Sequence, residues 1–334
     1  MKQNAEKYLF SSSRTRALEN KLLGEGRLNR LCDAASVEEF SSLLEENGIR
    51  VSTSGMNAAL NGILAEAFQT VGEMVPEEDR ESFSLFSFPY DCHNAKTALK
   101  GALGGKEYVS LLLPFGSVPS EEIGEAIGKG NYSLLPKNMA NACEQAAESF
   151  AKNRDPQQID LLLDVACFAD MAEKAEKSGD PFFTGFVSRR LDSVNCNIAV
   201  RLLRMKSAQI TQDYLLEHLM PFGSLGEDFF EKATAEGIDS LAEELKKSGY
   251  RAIGEAIEKG ASLSEIEKIG ESILLAYTEE AAGVLYGPAV PAAYLLRREA
   301  EVKNLRIIAM SIGCGLSPDR IRARLRLPER RFFS

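Results

Sequence analysis

The pattern of apolar and polar positions along the chain predicts helices. From Ile159 to Asp170, apolar residues at 159, 162, 163 and 166 follow the helical period, whereas Asp160 and Asp164 fall on a different face. Strand-like alternation beside Asn-Gly or Asp-Gly turns is absent from the sequence. We therefore predict an all-α fold.

Helix starts are marked by residues that satisfy free backbone N–H groups. The segments Ser36-Val-Glu-Glu39 and Ser264-Glu-Ile-Glu267 match the capping box, in which a Ser and a Glu each accept from the other's backbone N–H. Ser317-Pro318 and Asp155-Pro156 place a capping residue before a proline at the first helical position. We predict that a helix begins at each of these four places.

A pattern of an acidic residue followed three positions later by Asn occurs three times. The copies are Asp91-Cys-His-Asn94, Asp192-Ser-Val-Asn195 and Glu301-Val-Lys-Asn304, and their first residues lie 101 and 109 positions apart. This period has the size of a domain and is too long for a short solenoid repeat. It predicts three pseudo-equivalent helical units.

Two further segments also occur twice. Ile123-Gly-Glu-Ala-Ile127 returns as Ile253-Gly-Glu-Ala-Ile257, and Pro114-Phe-Gly-Ser117 returns as Pro221-Phe-Gly-Ser224. Stretches rich in Gly and Pro indicate connections between the units. The predicted units are residues 1–110, 111–217 and 218–334, the last with a basic carboxyl-terminal segment.

The acidic residue and the Asn of each copy share one helix face because they are three positions apart. The Asn amide is able to donate to the carboxylate, and both are able to address a neighbouring helix at a contact between units. Alternatively, the three faces gather near a pseudo-threefold axis and line a polar socket for a partner. If the contacts are internal, we expect Asn94→Leu, Asn195→Leu or Asn304→Leu to leave a buried carboxylate unpaired, at a cost of about 1–3 kcal/mol.

Composition places the chain among globular proteins. Its 334 residues are enough for two or three domains, and 44% apolar with 26% charged residues is ordinary for a soluble protein. The first residues are polar, so we expect no secretory signal, and no apolar stretch approaches the roughly 20 residues of a spanning helix. The six cysteines form no CxxC pair, which favours a reducing cytoplasm.

Charge is distributed unevenly along the chain. The formal net charge is −10, which disfavours general binding of nucleic acid. Residues 297–334 nevertheless hold ten Lys or Arg against four Asp or Glu, a net +6. We consider Arg320, Arg324 and Arg326 candidate docking residues for acidic groups on a partner; the alternative is a solvated, Arg-rich helix.

The residues needed for catalysis are scarce. The chain has two His residues and no recognisable spacing of metal ligands. Neither glycine-rich segment that precedes a Lys matches a Walker A loop, and GxGxxG and GxSxG motifs are absent. We expect no catalytic residue, metal, cofactor or bound nucleotide; an all-α carboxylate-based hydrolase and a helical scaffold unrelated to ion transport remain the alternatives.

Several segments, taken in order along the chain, carry a resemblance to a known family. They are Ser13-Arg-Thr-Arg-Ala-Leu-Glu19, Asp91-Cys-His-Asn-Ala-Lys-Thr-Ala-Leu-Lys-Gly101, Leu191-Asp-Ser-Val-Asn195, Glu299-Ala-Glu-Val-Lys-Asn-Leu-Arg306 and Ile321-Arg-Ala-Arg-Leu325. Together they resemble the C subunit of V-type and A-type ATP synthases, a family that includes the d subunit of V-ATPases. The chain departs from its own repeat at Asn197, where the other two copies have the cations Lys96 and Arg306.

The resemblance implies a fold and a role. It implies three similar helical domains arranged as a funnel around a pseudo-threefold axis. The role is that of a non-catalytic subunit on the cytoplasmic side, peripheral to the membrane, which links the rotor shaft to the proteolipid ring and transmits torque for H⁺ or Na⁺ transport. The six motif residues and the three arginines are then candidates for contacts with those partners or between units.

Overall fold

The computed structural model describes residues 6–51, 55–205 and 211–328. Within these ranges the regular secondary structure is helical and no strand occurs, which confirms the all-α prediction. The three repeat units and their arrangement as a funnel stay predictions.

The helices are numbered here in chain order. Those of the first half are α1 (Leu9–Glu19), α2 (Glu25–Cys32), α3 (Val37–Glu46), α4 (Met56–Met74), α5 (Arg80–Phe83), α6 (Phe88–Gly104), α7 (Ser120–Gly128), α8 (Lys137–Asn153) and α9 (Pro156–Ser178). Those of the second half are α10 (Pro181–Arg204), α11 (Gln212–Glu217), α12 (Glu227–Thr234), α13 (Ile238–Lys247), α14 (Arg251–Glu258), α15 (Leu263–Glu280), α16 (Ala289–Gly313) and α17 (Pro318–Arg322).

The chain divides into two compact units. The central unit consists of Glu77–Asn195 and Leu219–Gly226. The terminal unit consists of Met1–Pro76, Cys196–His218 and Glu227–Ser334. The division between the two falls within helix α10.

In the central unit, α9 packs against α8 and α6. Its residues Ile159 and Leu163 are buried, as the helical period predicts. The aspartates of the other face reach α6, where Asp164 lies 2.5 Å from Lys96 and Asp160 lies 2.6 Å from Lys100. The polar face of α9 therefore contacts α6 through ion pairs.

In the terminal unit, the long helix α16 packs against α4, α1 and α15. Its residues Leu305 and Ile308 are fully buried in this packing. Helices α13 and α14 form a second pair. The repeated Ile-Gly-Glu-Ala-Ile segments lie in α7 and α14, and the isoleucines of both copies are buried.

The predicted helix starts are correct at three places and wrong at one. Ser36, Asp155 and Ser317 each occupy the N-cap position. The capping box of α15, however, is formed by Ser262 and Glu265 and not by Ser264. The Ser262 N–H donates to the Glu265 carboxylate at 2.7 Å and the Glu265 N–H donates to the Ser262 hydroxyl at 3.3 Å, so Ser264 falls inside the first turn.

Candidate docking loops

The three repeated motifs lie on three long helices: α6, α10 and α16. All six of their acidic and Asn side chains are buried, with at most 4% of the residue surface exposed. The six residues are Asp91, Asn94, Asp192, Asn195, Glu301 and Asn304. Because buried polar groups need hydrogen-bond partners, the question is where these partners come from.

Each Asn takes both of its partners from the backbone of a single residue further along the chain. Its side-chain NH₂ donates to that residue's carbonyl and its side-chain oxygen accepts from the same residue's N–H, over distances of 2.7 to 3.1 Å. The pairs are Asn94 with Leu113, Asn195 with Met220 and Asn304 with Arg326. The three segments held in this way, residues 113–118, 219–225 and 324–328, are called the anchored segments below.

The carboxylates of the first two copies hold the same segments through the repeated Pro-Phe-Gly-Ser sequence. Asp91 accepts from the Ser117 N–H at 2.9 Å and from the Ser117 hydroxyl at 2.5 Å. Asp192 accepts from the Ser224 hydroxyl and, at 2.8 Å, from the Leu225 N–H. The acidic residue and the Asn of one helix turn therefore fix two points of one segment.

The glycine of this sequence is required by the close approach of the carboxylate. A Cβ atom on Gly116 would lie 2.3 Å from Oδ1 of Asp91, and one on Gly223 would lie 2.5 Å from Oδ1 of Asp192. Both distances are shorter than carbon and oxygen atoms tolerate without displacement. The repeated glycine is thus explained by contact with the repeated aspartate.

The third copy is completed differently. Glu301 accepts from the backbone N–H of Leu23, in the connection between α1 and α2, and pairs with Arg298 on its own helix. No Pro-Phe-Gly-Ser sequence follows this motif. The longer Glu side chain therefore accepts a backbone N–H as the aspartates do, but from the connection between α1 and α2 and not from the third anchored segment.

Burial sets the proton affinity of two of the carboxylates. Burial raises the pKa of Asp91 from 3.8 to about 6, and the hydrogen bonds from Ser117 and Val118 oppose this rise. Burial also raises the pKa of Glu301, against the lowering effect of the neighbouring Arg298. These carboxyl groups are thus held where the charged form is costly and where their hydrogen bonds to the backbone offset part of that cost.

The phenylalanines of the two Pro-Phe-Gly-Ser segments differ. Phe115 is buried and meets Tyr90 edge-on, with 4.5 Å between the ring centroids. Phe222 is 54% exposed. Its backbone φ is 72°, in the left-handed region that residues other than glycine rarely adopt. Leu191, which precedes the second aspartate, stands where the first copy has Tyr90. The second anchored segment therefore presents an aromatic side chain to solvent.

The arginines at the end of the described chain fall into two classes. The Arg326 Nε lies 2.6 Å from a Glu271 carboxylate oxygen, and Arg322 pairs with Asp33 and Asp319. Arg320 and Arg324 are exposed, and the part of the chain that the structure describes records no ion pair for either. Of the three predicted docking arginines, Arg326 is thus held internally through both its side chain and its backbone.

The anchored segments were not predicted as partners of the motifs. The signal was present in the sequence, because the two Pro-Phe-Gly-Ser copies follow the first two motifs by similar intervals. What was missing is the contact itself, since Asp91 and Ser117 are 26 residues apart. That the six motif residues dock a partner stays a prediction. Within the chain, the hydrogen bonds of the three Asn residues and of the two aspartates hold the anchored segments, and that of Glu301 holds the connection between α1 and α2.

Other chemistry is limited in the described ranges. Among residues 6–51, 55–205 and 211–328, no group of three or more His, Cys, Asp or Glu side chains is arranged to hold a metal ion. Over the same residues, none of the helices combines the length and the apolar character needed to cross a bilayer.

Comparison with known proteins gives one consistent result. Residues 11–324 match the family described as ATP synthase (C/AC39) subunit. Similar proteins include the C subunit of the A-type ATP synthase of Thermococcus kodakarensis, 25% identical over 94% of this chain and 89% of the relative. The proteins of the same name from Methanocaldococcus jannaschii and Methanosphaera stadtmanae are each 23% identical, over 95% and 91% of this chain and 86% and 83% of the relatives.

Proposed function

Because the chain belongs to the ATP synthase (C/AC39) subunit family, we propose that it is the non-catalytic central-stalk subunit of a V/A-type rotary ATPase. In this role it links the rotor shaft to the membrane proteolipid ring and passes rotation between them for H⁺ or Na⁺ transport. It resides on the cytoplasmic side and meets the membrane through the complex. The observation that carries the proposal is the family match, which extends over nearly the whole chain.

The anchored segments supply what such an adapter requires. A torque-bearing part must keep its contact surfaces in place under load, and packed helical interiors deform little. In the first two copies, hydrogen bonds to buried side chains fix each segment to a long helix at two points. Segments held in this way are ordered before a partner arrives, which lowers the entropic cost of binding.

The energetic requirement for such a link is modest. If a slipped docking state is to hold only about one part in a thousand of the population, correct docking must be favoured by roughly 4 kcal/mol. A few well-placed contacts reach this value, and a large interface is not needed. A small number of ordered surface segments is therefore sufficient for the coupling proposed.

Co-purification tests the proposal. The chain is tagged, expressed at its native level and isolated from detergent-solubilised membranes. We expect shaft and ring subunits to be recovered with it, and cells without the chain to hydrolyse ATP without pumping ions. A tagged chain recovered without those subunits, or one that turns over a substrate by itself, would contradict this role.

A further inference from the structure

The last described helix, α17, and the turn after it carry arginines at alternate positions. Arg322 and Arg326 form ion pairs with other parts of the terminal unit, Arg322 with Asp33 at the surface and Arg326 with Glu271. Arg320 and Arg324 are four positions apart, about one helical turn, and both are exposed. The alternation therefore separates two structural arginines from two that face solvent.

The backbone beneath the two exposed arginines is firmly held. Their neighbours Ile321 and Leu325 are each only 1% exposed. The carbonyl of residue 323 accepts from Lys268 Nζ at 2.5 Å, and the carbonyl of Arg324 accepts from the Arg326 guanidinium at 2.5 Å. The two cations thus project from a fixed turn, so little backbone freedom is lost when they bind a partner.

The sequence that contains the two exposed arginines differs in net charge from the rest of the chain. Residues 297–334 have a net charge of +6 within a chain of −10. The nearest exposed carboxylate in sequence, Asp319, is paired with Arg322 at 3.1 Å. Arg320 and Arg324 are exposed and the described residues record no ion pair for either, so an acidic partner is attracted at this place, which favours one docking orientation.

We propose that Arg320 and Arg324 form a docking patch for an acidic segment of a partner protein in the complex. This inference rests on the proposed function and names the chemistry of one of its contacts. Arg326, which is used internally, is not part of the patch.

The test compares two charge reversals of equal size. Arg320→Glu/Arg324→Glu alters the patch, whereas Arg251→Glu/Lys259→Glu alters two exposed cations of the same compact unit. Each variant is the only copy of the chain in the cell, and the solubilised ATPase complex is washed across about 0.05–0.5 M NaCl. The fraction of the chain that stays bound to its partner proteins is measured at each step.

We expect the Arg320→Glu/Arg324→Glu chain to bind its partners about tenfold more weakly than wild type, equivalent to about 1.4 kcal/mol. We expect the control variant to match wild type. Arg320→Lys/Arg324→Lys keeps the charge and is expected to restore most of the binding. Because the altered side chains are exposed, the isolated variants are expected to melt at the wild-type temperature.

Three results would overturn the inference. Equal retention of the patch and control variants excludes a docking role for the two arginines while leaving the proposed function intact. Loss of binding in the Lys variant as well contradicts recognition by charge. A wild-type chain that brings down neither shaft nor ring proteins overturns the proposed function and the inference together.

Discussion

At the scale of single residues, the repeated Asn acts as a substitute for a peptide group. Its side chain offers one carbonyl and one NH₂, so it can pair with the N–H and C=O of a single residue as a neighbouring strand would. In all three copies it does so. An Asn→Leu change therefore leaves a backbone N–H and a backbone C=O of the anchored segment unpaired. The sequence predicted that the unpaired group would be the carboxylate; the structure shows that it is this backbone.

The glycine beside Asp192 provides a sharp test of this packing. We expect Gly223→Ala to lower the free energy of unfolding by about 1–3 kcal/mol, because the new Cβ lies 2.5 Å from the carboxylate oxygen. Gly226→Ala in the same loop is the matched control, since no atom lies within 4 Å of its added Cβ. Urea unfolding of the isolated chain measures both, and equal effects would show that the contact does not determine stability.

The pKa of Asp91 predicts a dependence of stability on pH. Between pH 3.8 and about 6 the folded chain keeps a proton on Asp91 that the unfolded chain has released. The free energy of unfolding therefore rises as the pH falls through 6, by up to about 3 kcal/mol from this group. Asp91→Asn removes this contribution. Unfolding experiments from pH 7.5 to 4 on both proteins should show the wild type gaining relative to the variant, and parallel profiles would refute the assignment.

At the scale of elements, the repeated unit is a long helix together with the segment that returns to it. The helix supplies two buried polar side chains on one face, and the segment supplies the complementary backbone groups. The first two copies share the donor sequence Pro-Phe-Gly-Ser, whereas the third uses Leu23 from another part of the terminal unit. The acidic residue and the Asn on the helix are thus the same kind in all three copies, whereas the backbone donors to the carboxylate differ.

Helix α15 offers a prediction about its own start. We expect Ser262→Ala to cost about 0.5–2 kcal/mol, because its hydroxyl caps the Glu265 N–H, and Ser264→Ala to cost under about 0.5 kcal/mol. Both serines are exposed, so the pair differs in capping and not in burial. Thermal unfolding of the two variants measures which serine caps the helix. A larger loss of stability in Ser264→Ala than in Ser262→Ala would show that the helix begins at Ser264.

At the scale of the whole molecule, the fold class was predictable and the long-range contacts were not. The period of Ile159 and Leu163 and the caps at Ser36 and Asp155 are local signals, and local signals suffice for helices. The error at α15 arose because Ser and Glu occur three positions apart twice in succession, so spacing alone was ambiguous.

The contacts of the candidate site were even less predictable from the sequence than the helix starts. Sequence repetition identified the motif residues and even the Pro-Phe-Gly-Ser copies. It did not show that the motifs contact these segments, because side-chain contacts between residues 19 to 33 positions apart produce no periodic pattern in the sequence. The contact between Glu301 and Leu23, which are 278 residues apart, has no local signal at all.

That last contact has a consequence for synthesis on the ribosome. The central unit is made of residues 77–195 and 219–226, so all of it is synthesised before residues 227–334 are translated. The terminal unit, in contrast, joins the first helices to the last, and the amide of Leu23 must wait for Glu301 to be made. Nascent chains therefore expose residues 1–76 without their later packing partners until Glu301 and the helices around it have been made. Such a long-range, incomplete unit is slow to fold and open to aggregation during synthesis.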